Sequence, residues 1–307
     1  MFYPMIKRII DISEPAYLHL KNQQLIIDKN GETVGSVPIE DLGVVILENP
    51  QIVITQMAVI ACQKNNVAVV FCDDKHLPYS VLLPVSDANT LHNKILRQQI
   101  EMTQPAKKRI WQQIVVHKIK QQLITLEKAG KNTSQLERLV KKVKSGDPEN
   151  IEAQAAKKYW RLLFGDDFRR DIDEPSINSL LNYGYAIVRA MIARAIVGSG
   201  LHPAIGVFHK NQYNGLCLAD DLMEPFRPWV DWLVFNFVMK NIDENIEINQ
   251  QTKTLFLNLP NDSVQYKKNK MPLMIACHYL LADFKKTFDE TRFKLSYPEW
   301  PEQIALL

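Results

Sequence analysis

Between His209 and Glu224 the chain sets one imidazole and three carboxylates, Asp220, Asp221 and Glu224, around a turn-forming segment that holds Asn211, Asn214 and Gly215. Asp221 and Glu224 are three residues apart and share one face of a helix. The two asparagines and the glycine supply a turn that can return His209 to their side. A further carboxylate, Glu152, lies far upstream on a separate predicted helix. Ala155, Ala156, Tyr159 and Leu163 follow it at the i+3, i+4, i+7 and i+11 spacings, so Glu152 belongs to the apolar stripe and not to the face of Lys157, Lys158 and Arg161. One imidazole among oxygen ligands suits Mg²⁺ or Mn²⁺, whereas zinc would favour more nitrogen or sulfur. The chemistry available to such a set is metal-assisted attack on a phosphodiester.

Each of these groups also has a structural use. Glu152 can pair with an arginine such as Arg189 or Arg194 on a later helix. His209, beside Phe208 and seven residues after His202, can be a hydrogen-bonded structural histidine. Asp220, Asp221 and Glu224 can stabilise a helix N-terminus through the macrodipole, at about 0.3 to 1 kcal/mol each, although three acids exceed what capping needs. The residues alone leave both readings open.

The charge distribution points to a polyanion. Between Leu91 and Gly146 thirteen lysines and arginines face three glutamates, a surplus of ten in a chain whose whole formal charge is +3. A sign asymmetry of that size marks contact with nucleic acid or an acidic surface. Beside a candidate metal site we read it as phosphate binding, with Lys107, Lys108, Arg109, Lys141, Lys142 and Lys144 as candidate DNA contacts. Solvated faces of long helices are the alternative.

A length of 307 residues with 46% apolar content is enough for two cores. The first ten residues contain Pro4, Lys7 and Arg8 and lack the succession of a signal peptide. The apolar runs at 229–239 and 271–281 are interrupted by Asp231 and His278, so no stretch is expected to span a bilayer. These features predict a cytoplasmic protein. Cys62, Cys72, Cys217 and Cys277 form no C-x-x-C pair and no zinc spacing, which predicts buried reduced thiols. No Gly-x-x-x-x-Gly-Lys loop occurs.

From Ile6 to about Leu83 the segments are short and β-branched, with Asn30-Gly31 as a hairpin signal and one helix at about 55–64. They predict a small, mostly antiparallel, sandwich-like β domain over residues 1–85. Beyond it, over 86–307, the period is helical. Pro105-Ala106 opens a helix that Gly130 closes, and a second runs from about Thr133 to Gly146. Asp147-Pro148 reads as an N-cap with proline at the first helical position, starting the helix of Glu152. A helix at about 176–197, apolar nearly all round, is the expected centre of the core. Helices follow at about 224–239 and 272–288, separated by a short extended pair around 246–258. The expected class is α+β, a β domain followed by a larger, all-α or nearly all-α domain that carries the site.

Four blocks carry a resemblance. Glu152-Ala153-Gln154-Ala155-Ala156-Lys157-Lys158-Tyr159-Trp160, Asn178-Ser179-Leu180-Leu181-Asn182-Tyr183-Gly184-Tyr185, Gly200 to His209, and Asp221-Leu222-Met223-Glu224-Pro225-Phe226-Arg227-Pro228 follow one another as the signature blocks of the CRISPR spacer-acquisition integrase do, the larger of the two core CRISPR adaptation proteins. Leu18 to Leu25, Val37 to Leu42 and Val69 to Asp73 are similar to that family's β domain. The resemblance implies metal ligands at Glu152, His209 and Glu224, with a secondary contribution from Asp221, and the same three residues as the catalytic set. It implies joining of the 3′-OH ends of short protospacer duplexes to a CRISPR repeat, with endonuclease activity. It also implies a homodimer through the β domain and a small ferredoxin-like partner. Arg169, Asn178 and Arg227, in or beside the blocks, join the candidate DNA contacts, and the Met-Glu-Pro-Phe-Arg-Pro form resembles members from type II systems. Two other functions fit the residues: a structure-selective nuclease for branched DNA, and a non-catalytic DNA-binding scaffold.

Overall fold

The computed structural model describes residues 7–74, 77–84, 88–171, 177–241, 248–288 and 294–299. In the N-terminal part eight strands form two four-stranded sheets. One is β2 (Tyr17–Lys21), β3 (Gln24–Lys29) and β4 (Glu32–Pro38) as an antiparallel meander, with the two-residue β6 (Val53–Ile54) pairing in parallel on β2. Its turns are tight because their residues accept positive φ, Asn30 at 51° and Gly31 at 85°, and Asn22 at 50° and Gln23 at 59°.

The other sheet departs from the mostly antiparallel arrangement expected. β1 (Arg8–Ile12), β5 (Leu42–Leu47) and β7 (Ala68–Cys72) run parallel, and only β8 (Pro78–Leu82) is antiparallel. The crossover from β5 to β7 is completed by α1 (Gln56–Lys64), as parallel pairing requires. Every residue of β5 is buried, the continuous apolar run of a strand covered on both faces. Leu42, Val45 and Leu47 meet Leu18 and Leu25 between the sheets, while Val44 and Ile46 join the helical core behind.

Among the described residues ten helices and one further hairpin complete the α+β whole. After α1 come α2 (His92–Glu101), α3 (Gln104–Lys128), α4 (Ser134–Val140), α5 (Ile151–Phe164), α6 (Ile177–Gly198), α7 (Cys217–Met223), α8 (Arg227–Lys240), α9 (Gln250–Leu257) and α10 (Leu273–Lys286). The hairpin is β9 (Ser263–Tyr266) with β10 (Asn269–Pro272). The extended pair expected around 246–258 is corrected: residues 246 and 247 lie outside the described residues, and 250–257 is α9. Asn249 and Thr252 form a reciprocal capping box that starts that helix. The helix expected from Thr133 to Gly146 is only the two turns of α4. The expected boundary between residues 85 and 86 falls outside the described residues.

α6 is the spine of the core, touching β5, β7, β8, α7, α8, α9 and α10. By length and apolarity it meets the requirement for a membrane span, which corrects the expectation that no segment does. Yet 83% of its most apolar stretch is buried inside the fold, so its apolar surface is already covered by protein.

Candidate active site

α7 and the loop before it build the His209 half of the site. Asp221, fully buried in α7, accepts the backbone N–H groups of Val207 at 2.6 Å, Phe208 at 3.0 Å and His209 at 3.1 Å. His209 Nδ1 lies 2.7 Å from Asp221 Oδ1, so the imidazole carries its hydrogen there and turns Nε2 outward. The hydrogen bond to Asp221 raises the His209 pKa above its ordinary value, against the opposing effect of burial. Gly206 permits the arrangement, since a Cβ at that position would stand 2.8 Å from Asp221 Oδ2 and 2.5 Å from the His209 carbonyl oxygen. The expected turn is present, with Asn211 and Asn214 accepting the N–H groups of Tyr213 and Leu216. Asp220 is committed elsewhere, to Arg189 Nε at 2.6 Å and to Asn214.

The other half is made by α3, α5 and the 3-10 turn Glu224–Phe226. α5 starts at Ile151, not at Pro148. The Asp147 carboxylate accepts the N–H groups of Ile151 and Glu152, both at 2.9 Å, from outside the helix, and this places Glu152 in the first turn. Glu152 pairs with neither Arg189 nor Arg194. Its partner is the buried Lys118 of α3, which also lies 2.5 Å from Glu224 Oε2. Arg227 Nε holds the other Glu224 oxygen at 2.8 Å. Burial by itself would raise the Glu224 carboxyl, but Arg227 and Lys118 outweigh it and hold the pKa at about 2. Lys118 approaches Glu224 Oε2 outside hydrogen-bonding geometry, so this buried oxygen has an ionic neighbour and no hydrogen-bond partner.

The structure therefore draws Glu152 and Glu224 onto one ammonium and ties His209 to Asp221. Among the described residues no three His, Cys, Asp or Glu side chains stand close enough to cage a metal as they are. Sequence reasoning passed over Lys118, although the signal was present. It follows Trp111, Ile114 and Val115 on the buried face of α3, and the apolar-stripe criterion that singles out Glu152 selects it equally.

Beside Glu224 a cavity of about 300 Å³ opens, lined among others by Lys118, Trp160, Arg170, Tyr185, Arg227 and Asp231. The guanidinium groups of Arg227 and Arg170 lie 4.7 Å and 5.4 Å from the Tyr185 ring centre. Asp231 accepts the hydroxyl hydrogens of Tyr185 and Tyr159. Burial pushes its pKa up to about 7 against those two hydrogen bonds.

Of the candidate DNA contacts, Lys141, Lys142, Lys108 and Arg169 reach the surface. Lys144 is exposed and pairs with Glu149 at 2.5 Å. Lys107 and Arg109 are both partly buried, and Arg227 is spent in part on Glu224. Asn178 is buried, and its amide holds Arg170, the N–H of Asp171 and the carbonyl of Arg169 in place.

Comparison with known proteins settles the family. The model of the family described as CRISPR associated protein Cas1 matches residues 11–262. This chain belongs to the Cas1 family. The CRISPR-associated endonuclease Cas1 of Neisseria meningitidis serogroup C (strain 8013) is 38% identical over 234 residues, which are 76% of this chain and 76% of that protein. Among solved structures, a casposase bound to integration product superposes with a TM-score of 0.74 at 21% identity, covering 95% of this chain and 92% of the other. A chain of a Cas6-RT-Cas1–Cas2 complex gives a TM-score of 0.77 at 19% identity, covering 97% of this chain and 37% of that one. At those identities the two structures speak for the Cas1 fold of the present chain.

Proposed function

We propose that this Cas1-family chain is a DNA integrase of CRISPR adaptation. It joins the 3′-OH ends of short protospacer duplexes to a repeat phosphodiester and has associated endonuclease activity. The family and the Neisseria relative, a CRISPR-associated endonuclease, support the enzyme class. The observation that carries the mechanism is the pair of carboxylates from separate elements, Glu152 and Glu224, facing a single buried ammonium beside an oriented imidazole.

The donor set fits a divalent cation. Glu224 Oε2 is buried without a hydrogen-bond partner, Glu152 shares the same cationic neighbour, and His209 offers Nε2. Glu152, Glu224 and His209 would hold Mg²⁺ or Mn²⁺. Asp221, its oxygens spent on three N–H groups and the imidazole, orients His209 instead of binding directly. When bound, the ion supplies Lewis-acid polarisation of a phosphodiester oxygen and offsets charge on the leaving oxygen. Lys118 has to withdraw from between the carboxylates, and the cavity at Arg170 and Arg227 offers two guanidinium groups to phosphate oxygens. The attacking 3′-oxygen forms its bond to phosphorus as the bond to the departing 3′-oxygen breaks, and the proton of the attacking hydroxyl ends on the leaving oxygen or on solvent. One phosphodiester replaces another, so no nucleotide triphosphate is consumed.

The reading includes a homodimer and a small ferredoxin-like partner, in the cytoplasm of a prokaryote with a type II system. The solved assembly of a Cas1 with Cas2 supports such a partner. The deciding experiment incubates a labelled 3′-hydroxyl duplex with supercoiled target DNA and Mn²⁺. Covalent transfer of label to the target supports the integrase. Nicking or flap cleavage without transfer identifies a branched-DNA nuclease, and binding with neither product identifies a scaffold.

A further inference from the structure

Phe208 precedes the metal-site histidine, yet its ring is 48% exposed. It is not loose. The inner face stacks on the buried indole of Trp111, with ring centres 4.1 Å apart and planes within 2° of parallel. Its backbone N–H is held by Asp221 at 3.0 Å. His209 stands edge-on to both rings, 5.6 Å from Phe208 and 5.9 Å from Trp111. An isolated exposed apolar side chain is ordinary on a protein surface. A ring fixed at both backbone and inner face, with its outer face open beside the catalytic histidine, is a platform. Cations flank it: Lys107 sits one helical turn before Trp111 on α3, and the exposed Lys210 follows His209. Lys107 and Lys210 are near enough for their charges to repel.

A flat aromatic face between cations matches the chemistry of an unpaired nucleotide, whose base stacks while its phosphates meet the lysines. We infer that Phe208 is a base-stacking platform that receives one unpaired base of the DNA next to the reacting phosphodiester, with Trp111 as its rigid backing and Lys107 and Lys210 on the adjoining phosphates. The inference rests on the integrase reading and adds a positioning residue to it. Because stacking tolerates any base, the platform orients the strand without selecting sequence.

The test uses a forked DNA duplex with 2-aminopurine placed in turn at each of the first three unpaired nucleotides. It is titrated with the full chain without divalent metal, so that the DNA stays intact, while anisotropy reports binding. The wild type should quench the fluorescence at one position. Phe208→Leu, which still covers Trp111, should lose that quenching and weaken fork binding at least about five-fold, the low end for removal of one stacked base, whereas Phe208→Trp should retain both. Thermal melting of each variant separates stacking from loss of fold, because a role as cover alone leaves both the midpoint and the quenching unchanged in Phe208→Leu. Equal quenching in wild type and Phe208→Leu, or DNA binding with quenching in neither, overturns the platform while strand joining still supports the integrase. A wild type that neither binds the fork nor joins DNA overturns both.

Discussion

The two halves of the site are held by opposite means. Asp221 is gripped by three backbone N–H groups, and the loop carrying His209 is built around it, so this half is set once the chain has folded. Glu152 and Glu224 come from different elements and are held by side-chain charge, above all by the Lys118 ammonium. Fixed N–H groups need no exchange when a ligand enters, whereas an ammonium between two carboxylates occupies the place a metal ion would take. Backbone thus builds the half that orients His209, and a side-chain cation covers the half that, on the proposed reading, would hold the metal.

Lys118 should give the largest stability effect if this contrast is right. Lys118→Met leaves the buried Glu224 and the partly buried Glu152 without their shared counter-charge, and in metal-free buffer it should cost about 3 kcal/mol by urea unfolding. Adding Mn²⁺ should return most of that stability, with a larger rise in melting temperature than in the wild type, where the ion first displaces the lysine. Glu152→Gln should abolish joining and nicking, keep DNA binding within a few-fold, and remove the Mn²⁺-induced rise. An identical Mn²⁺ response in all three proteins would remove Glu152 and Lys118 from the ion's surroundings.

The His209 half should respond differently. Asp221→Asn puts an amide where three N–H groups and an imidazole need acceptors, leaving donors unmatched in a buried position, and should cost about 2 to 3 kcal/mol. Mn²⁺ should not restore it, because the damage is to a backbone nest. Recovery with Mn²⁺ comparable to that of Lys118→Met would instead make Asp221 a direct ligand and erase the distinction between the halves.

The sequence disclosed more of the backbone-held half than of the charge-held one. His209, Asn211, Asn214, Gly215 and Asp221 lie within thirteen consecutive residues, and local turn chemistry joins them, so spacing alone brought them together. Glu152 and Glu224 meet only because α5 and the segment after α7 pack on α3, and that meeting is tertiary. Its one local trace was Lys118 on an apolar face, which a count of basic residues hid by treating it as a phosphate binder. The same contrast runs through the fold. Asn30-Gly31 announced its hairpin, but the parallel pairing of β1, β5 and β7 depends on a crossover through α1 and on which faces become covered. The reciprocal capping box of Asn249 and Thr252 that starts α9 departs from the Ser/Thr-x-x-Glu/Gln signature, so the sequence there pointed to a strand pair.

Asp231 offers a milder test inside the cavity next to Glu224. Its pKa near 7 in the fold exceeds the ordinary aspartate value, so the folded state binds this proton more tightly than the unfolded chain. Stability from this group is therefore full below the ordinary value and is lost as pH rises from about 4 through about 7. Between pH 5 and pH 7 the decrease should be about 2 kcal/mol. Asp231→Asn should remove that part of the slope in urea titrations at the two pH values. An unchanged slope would show that the carboxylate remains ionised between the tyrosines.

The smallest effect concerns exposed lysines, and it sharpens the contrast between surface charge and Lys118. A lysine that neutralises one duplex phosphate contributes about 0.9 to the magnitude of the slope of log affinity against log salt. Changing Lys141 and Lys142 to glutamine should therefore lower it by about 0.9 for each that touches DNA. Lys144 should count for less, because Glu149 already holds its ammonium at 2.5 Å and competes with the phosphate. Glu149→Gln should then steepen the wild-type slope slightly by releasing that lysine. Lys118 should leave the slope unchanged, since a buried ammonium shared by two carboxylates is not free to displace counter-ions from DNA. A slope that falls in Lys118→Met but not in the surface variants would place the phosphate backbone in the cavity and not along α4. In that case the ten-charge surplus between Leu91 and Gly146 would be a solvated helix face after all.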